Sequence, residues 1–169
     1  MFASDFLFGN SVVKRTKSGT YAPVGPEYFA GASVALYFAK KSHPKCAQIF
    51  APLRQFYLTT NACSKSPVIE IIYVSVDEDE ETYEKARDMM PWCSVEYNSE
   101  LRKNLISRYR VSEEHQIPGM SQKTVSTTLP LLLVIGPHGE QAGRLDLDTP
   151  EEVFLQHWDY KYNKWPLHA

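Results

Sequence analysis

The stretch of this chain that settles its fold is Ser33-Val34-Ala35-Leu36-Tyr37-Phe38-Ala39, followed at once by Lys40-Lys41-Ser42-His43-Pro44-Lys45-Cys46. Its first seven residues are almost continuously apolar and end in polar breakers, the pattern of a short strand buried on both faces. After Cys46 the period changes. Ile49, Phe50, Leu53, Phe56 and Tyr57 recur at the three-and-four spacing that lines one face of a helix. Pro44 suits the first turn of that helix, where a missing amide hydrogen costs nothing. Pro52 falls inside the same pattern and predicts a lost backbone bond and a bend.

Working outward, Val68-Ile69-Glu70-Ile71-Ile72-Tyr73-Val74 reads as a second buried strand, rich in β-branched residues and opened by Pro67. The acidic run Asp77 to Glu81 favours the positive end of a helix from about Asp79 to Met89, and a charge run of this kind is ordinarily a solvated helix start. Ser99 is a cap for a helix through Leu101, Leu105, Ile106 and Tyr109, ending near Arg110. Between Val111 and Thr128 the periodicity vanishes, and a loop this long inside a compact domain is functional or mobile. Leu131-Leu132-Leu133-Val134-Ile135 reads as a third strand, Gly136-Pro137-His138-Gly139 as a turn, and Gly143-Arg144-Leu145-Asp146-Leu147 as an antiparallel partner. Thr149, Pro150 and Glu152 form a capping box for a last helix carrying Val153, Phe154, His157 and Trp158. Alternating strands and helices, closed by a hairpin and a helix, predict an α/β fold whose mixed sheet is covered on both faces.

With 169 residues, 43% hydrophobic and 22% charged, the chain fits one domain spanning 1–169. A net charge of −2 with interspersed signs offers no basic field for nucleic acid or an anionic membrane, so neither partner is expected. There is no apolar run of about 18 residues for a membrane span, and Met1-Phe2-Ala3-Ser4-Asp5 lacks a signal-peptide start. A cytoplasmic location is the expectation. Cys46, Cys63 and Cys93 make no Cys-x-x-Cys pair, which suits free thiols in a reducing compartment.

Several short stretches give the chain a family resemblance. Tyr37-Phe38-Ala39, Ser42-His43-Pro44-Lys45-Cys46, Phe50-Ala51-Pro52-Leu53, Val74-Ser75-Val76-Asp77-Glu78, Met90-Pro91-Trp92 and Thr128-Leu129-Pro130-Leu131 follow one another in order. In that order the chain, roughly from Phe6 to Trp158, resembles the tryparedoxins of trypanosomatids and the related nucleoredoxins. The resemblance implies a thioredoxin fold, with a central mixed sheet flanked by helices on both faces and an insertion at 112–127. An aromatic tail follows at 159–169. It also implies that Pro130 is the cis-proline facing the active site and that the site spans residues 42–46. Position for position, His43 stands where that family carries its first, attacking cysteine, Ser42 where it carries a tryptophan, and Cys46 where it carries the second cysteine. Val76 replaces a further tryptophan, and Lys40 and Lys41 flank the loop.

Disulfide exchange needs a thiolate that attacks sulfur, and an imidazole cannot form the mixed disulfide. The resemblance therefore leads to a noncatalytic tryparedoxin-like protein, a binding or structural subunit of a larger assembly with protein partners. A cytoskeletal or flagellar assembly fits. The alternative is a thiol-dependent oxidoreductase with altered single-cysteine chemistry through Cys46 or Cys93, and only there is trypanothione or another dithiol a partner. A third reading is a peptide or chaperone-like binder beside Pro130. His43 and Cys46 make half a zinc site and no second pair completes it, so neither metal nor cofactor is expected. Trp92 reads as core, as do Trp158 and Trp165, and Cys93 as a buried thiol near the site. Cys63 reads as exposed. His115, His138, His157 and His168 are isolated and solvated or structural.

Overall fold

The computed structural model describes residues 11–24, 26–29, 32–41, 43–62, 65, 68–108, 131–135 and 141–144. In chain order these form β1 (Val12–Arg15), β2 (Tyr21–Pro23), a 3-10 turn (Pro26–Phe29), β3 (Ser33–Ala39), α1 (Pro44–Asn61), β4 (Ile69–Ser75) and α2 (Glu80–Arg87). They continue with β5 (Cys93–Val95), α3 (Glu100–Arg108), β6 (Leu131–Ile135) and β7 (Gln141–Arg144). The described strands make one mixed sheet in the order β2-β1-β5-β4-β3-β6-β7.

Every residue of β3, β4 and β6 is buried, which explains why these strands read as unbroken apolar runs rather than as alternations. β3 lies at the centre, parallel to β4 with Tyr37 opposite Tyr73 and antiparallel to β6 with Tyr37 opposite Leu132. Parallel neighbours cannot be joined by a tight turn, so α1 and α2 serve as the crossovers from β3 to β4 and from β4 to β5. Ring contacts run from the sheet into α2. Tyr37 tilts against Tyr73 at 6.1 Å, and Tyr73 stacks on Tyr83 of α2 at 5.9 Å.

The helices start and stop where the chemistry of their ends asks. α1 begins at Pro44, as its missing N–H favours, and runs unbroken past Pro52. At its other end the Asn61 amide mimics a backbone unit. Its Oδ1 accepts from the N–H of Val68 at 2.8 Å and of Ile69 at 3.1 Å, and its Nδ2 donates to the Ile69 carbonyl at 3.1 Å. Asp79 caps α2 by accepting the Thr82 N–H at 2.7 Å. Ser99 caps α3 by accepting the Arg102 N–H at 3.1 Å.

Two expectations change. The alternation predicts a last strand over Gly143 to Leu147, whereas β7 starts two residues earlier, with Gln141 opposite Ile135 and Arg144 opposite Leu133. The pairing carries an irregularity between Val134 and Ile135, and Leu145, Asp146 and Leu147 lie outside the described residues. Secondly, β1, β2 and β5 carry no expectation from periodicity. They are short strands held by pairing, with β1 antiparallel to both β2 and β5. The turn between β1 and β2 uses Gly19 at φ +88°, a conformation glycine adopts without strain. The 112–127 segment, the 159–169 tail, the Thr149 box, Cys63 and Pro130 lie outside the described residues. Among the described residues no helix is long and apolar enough to cross a membrane.

Candidate functional site

β3 delivers its chain directly into the loop that opens α1, so Lys40, Lys41 and residues 43–46 sit at the end of the central strand. Three backbone-level ties hold this loop. The Val76 N–H donates to the Ala39 carbonyl at 2.9 Å, the Lys41 N–H donates to Asp77 Oδ1 at 2.7 Å, and the His43 N–H donates to the Lys40 carbonyl at 3.0 Å. Asp77 is itself buried and also accepts from the hydroxyls of Tyr73 and Ser75. The Asp77 backbone carbonyl accepts from Tyr97 Oη at 2.8 Å. The sequence places Asp77 in an acidic run; the structure turns it inward as the anchor of the loop.

His43 is the N-cap residue of α1, since its carbonyl accepts the Ala47 N–H at 3.1 Å. It is half-buried. Pro44 takes the first helical position, Lys45 follows within the helix, and Cys46 lies inside the first turn with 4% exposure. Ser42 and Pro130 lie outside the described residues. Lys40 is 8% exposed and extends its ammonium to Glu78 Oε1 at 2.9 Å. Burial, followed by the nearby Cys46 sulfur and Asp77, pushes the Tyr37 hydroxyl far above the usual phenol range. Tyr37 and Cys46 thus belong to one environment.

Cys46 and Phe50 of α1, Tyr37 of β3, Lys40 of the loop, and Met89 and Met90 after α2 border a mainly apolar cavity of about 240 Å³. Trp92 is 2% exposed and lies edge-on to Tyr37 at 5.9 Å, Phe50 at 6.0 Å and Tyr57 at 5.5 Å. That makes it a packing hub between strand and helix, as its residue type predicted.

Cys93 belongs to a different neighbourhood, one the sequence reading did not foresee. Glu70 in β4 is fully buried, and its carboxylate accepts from Tyr28 Oη at 2.8 Å, Tyr57 Oη at 2.9 Å and the Ile71 N–H at 3.0 Å. Lys14 Nζ completes the cluster at 3.3 Å and also donates to both tyrosine hydroxyls. The Cys93 thiol adjoins this carboxylate, and burial first, then Glu70, push it well above the ordinary thiol range. The same two causes raise Tyr28 and Tyr57. An acidic residue inside the aliphatic run of residues 68–74 was the available signal, because such a residue needs buried donors. Neither Cys46 nor Cys93 is in a disulfide. Among the described residues no three His, Cys, Asp or Glu side chains converge.

Comparison with known proteins agrees with this architecture. A family model described as Thioredoxin-like matches residues 31–141, which takes in β3, α1 and the loop between them. Mouse nucleoredoxin is 28% identical over 134 residues, covering 78% of this chain and 27% of that protein. Probable nucleoredoxin 2 of rice is 27% identical over 127 residues, covering 75% of this chain and 28% of that protein. The chain therefore spans little more than a quarter of these relatives' lengths. Among solved structures, thioredoxin from Wuchereria bancrofti superposes with a TM-score of 0.59 at 27% identity, covering 80% of this chain and 81% of the other. Tryparedoxin I from Leishmania major gives a TM-score of 0.57 at 23% identity, covering 79% and 80%, a likeness of fold. These names set the chain among redox-related proteins. Its central strand, its loop and its Pro-opened helix are those of a thioredoxin fold, and the chain belongs to the Thioredoxin-like family.

Proposed function

We propose that this chain is a thioredoxin-fold binding or structural subunit that works through protein partners and does not turn over disulfides. The observation that supports the reading is the occupant of the α1 N-cap. By the resemblance, the attacking thiolate belongs there, and the residue is His43, with Cys46 4% exposed behind it. A helix start favours a thiolate, but an imidazole at that place has no sulfur to bond. The remaining thiol is the one that resolves a mixed disulfide, and here no preceding step creates one. Cytoplasmic assemblies, cytoskeletal or flagellar among them, are where such a subunit would serve.

A thiol reading through Cys46 has one point in its favour, the position of Cys46 in the first turn of α1. The same reading through Cys93 is opposed by that thiol's complete burial. One experiment separates subunit from enzyme, namely reduction of a protein disulfide by a dithiol donor, with the wild type beside His43→Cys and Cys46→Ser. The expected result is a wild-type rate equal to the protein-free background and a His43→Cys rate at least ~10-fold higher, since the substitution restores a dithiol. A wild-type rate above background that Cys46→Ser removes would overturn the proposal.

A further inference from the structure

The cavity beside α1 brings together three sulfur side chains that the binding-subunit reading leaves unused. Cys46 borders it from the first turn of the helix, and the consecutive residues Met89 and Met90 border it from the turn after α2. That turn is fixed by its backbone. The Met89 N–H donates to the Ala86 carbonyl at 3.1 Å and the Met90 N–H donates to the Arg87 carbonyl at 3.0 Å. The rest of the wall is largely aromatic and aliphatic, with Tyr37, Phe50 and Tyr73 on it. Met89 is 55% exposed, a large apolar side chain left at the mouth of the cavity rather than packed in the core.

Thiolate and thioether donors in an apolar recess select by softness. Hard cations want oxygen, and zinc wants four nitrogen, oxygen or thiolate ligands in a tetrahedron. Monovalent copper accepts sulfur alone, thioethers included. We propose that this cavity is a Cu(I) site, with the metal held by Cys46 Sγ and the thioethers of Met89 and Met90. Methionine side chains turn about three single bonds, so both thioethers can swing onto an ion seated against Cys46. Binding forms a copper–sulfur bond and releases the Cys46 thiol proton to solvent; the metal enters and stays as Cu(I), and no electron moves. Two lysines also border the cavity: the Lys40 ammonium is directed to Glu78 at 2.9 Å, and Lys41 is exposed. The proposal reaches beyond the subunit reading and does not depend on it.

The test is an anaerobic competition for Cu(I) between the intact chain and a chromophoric Cu(I) chelator. Expected is the withdrawal of one ion per chain, loss of that withdrawal in Cys46→Ser, and affinity at least ~10-fold weaker in the Met89→Leu, Met90→Leu double variant. Leucine keeps the volume of methionine, so the double variant should melt at an unchanged temperature and separates lost ligands from lost fold. X-ray absorption at the copper edge should show sulfur neighbours only. Failure to withdraw copper, an affinity indifferent to the methionine pair, or a nitrogen and oxygen shell would each overturn the proposal. None of these outcomes bears on the disulfide-reduction assay.

Discussion

The backbone N–H of Lys41 donates to Asp77 Oδ1 at 2.7 Å, so the loop that ends in His43 is held by a buried carboxylate from the segment after β4. The bond joins two stretches adjacent in the sheet and far apart in sequence, and it places the α1 N-cap without help from His43 itself. The Asp77 side chain also satisfies Tyr73 Oη and Ser75 Oγ. Asp77→Ala therefore strands two buried hydroxyls and the partly buried Lys41 N–H, and the expected loss of stability is about 3–5 kcal/mol. Urea unfolding measures it. A loss below about 1 kcal/mol would mean that water or another acceptor replaces the carboxylate.

A second prediction concerns the Glu70 cluster. Breaking a buried pair costs most when the buried member is left with its partners unsatisfied, and the two ends of this pair differ in exposure. The Glu70 side chain is 0% exposed, the Lys14 side chain 28%. Glu70→Ala, which abandons Tyr28, Tyr57, Ile71 and Lys14 together, is expected to cost about 3–5 kcal/mol. Lys14→Met is expected to cost roughly 1–2 kcal/mol, because its charge is partly screened by water and the two tyrosines still satisfy the carboxylate. Guanidinium unfolding of the two variants checks the order, and a larger loss for Lys14→Met would contradict it.

The response to alkali follows from the raised groups. Cys93, Tyr28, Tyr57 and Tyr73 are all held above their ordinary values, burial being the largest cause in each. Each keeps its proton in the folded chain where the unfolded chain would lose it. The folded state then binds more protons, and stability falls as pH rises. Full stability is expected below about pH 8.5, with a first decline as the unfolded thiol titrates and a steeper one beyond about pH 10 as the unfolded tyrosines follow. Urea midpoints over a pH series test this, and a midpoint that climbs through that window would refute it. Cys93 is expected to resist alkylation in the folded chain and to react on unfolding.

Asn61 offers a third handle on stability. Its amide makes three bonds to Val68 and Ile69 that dock the end of α1 on the start of β4. Asn61→Ala is expected to cost about 2 kcal/mol, since the position is only partly buried and water can reach some of the freed groups. Thermal unfolding of Asn61→Ala beside Asn61→Asp apportions the loss, because aspartate keeps the two accepted bonds and gives up the donated one.

Long, wholly buried elements were the most legible part of the sequence. β3, β4 and β6 announce themselves because all their side chains are buried, and α1 because Ile49, Leu53 and Tyr57 repeat on its inner face. β1, β2 and β5 did not, since strands of three or four residues owe their existence to their neighbours rather than to a local pattern. At the site, the order Lys40 to Cys46 was readable, and so was the core role of Trp92. The resemblance puts Cys93 near the site, yet its thiol is raised by burial first and by Glu70 second, a neighbourhood only the pairing of β5 with β4 could show. The roles of Asp77 and Asn61 were hidden for a related reason: a polar side chain that bonds to distant backbone leaves no trace in hydrophobic periodicity.

Among the described strands, β2 forms one border of the sheet, only three residues long and finishing in Pro23. A proline offers no N–H to an incoming chain, and so short a rim gives a foreign strand little to grip. Growth by edge-to-edge zippering, the usual hazard of an open sheet, is blunted on that flank.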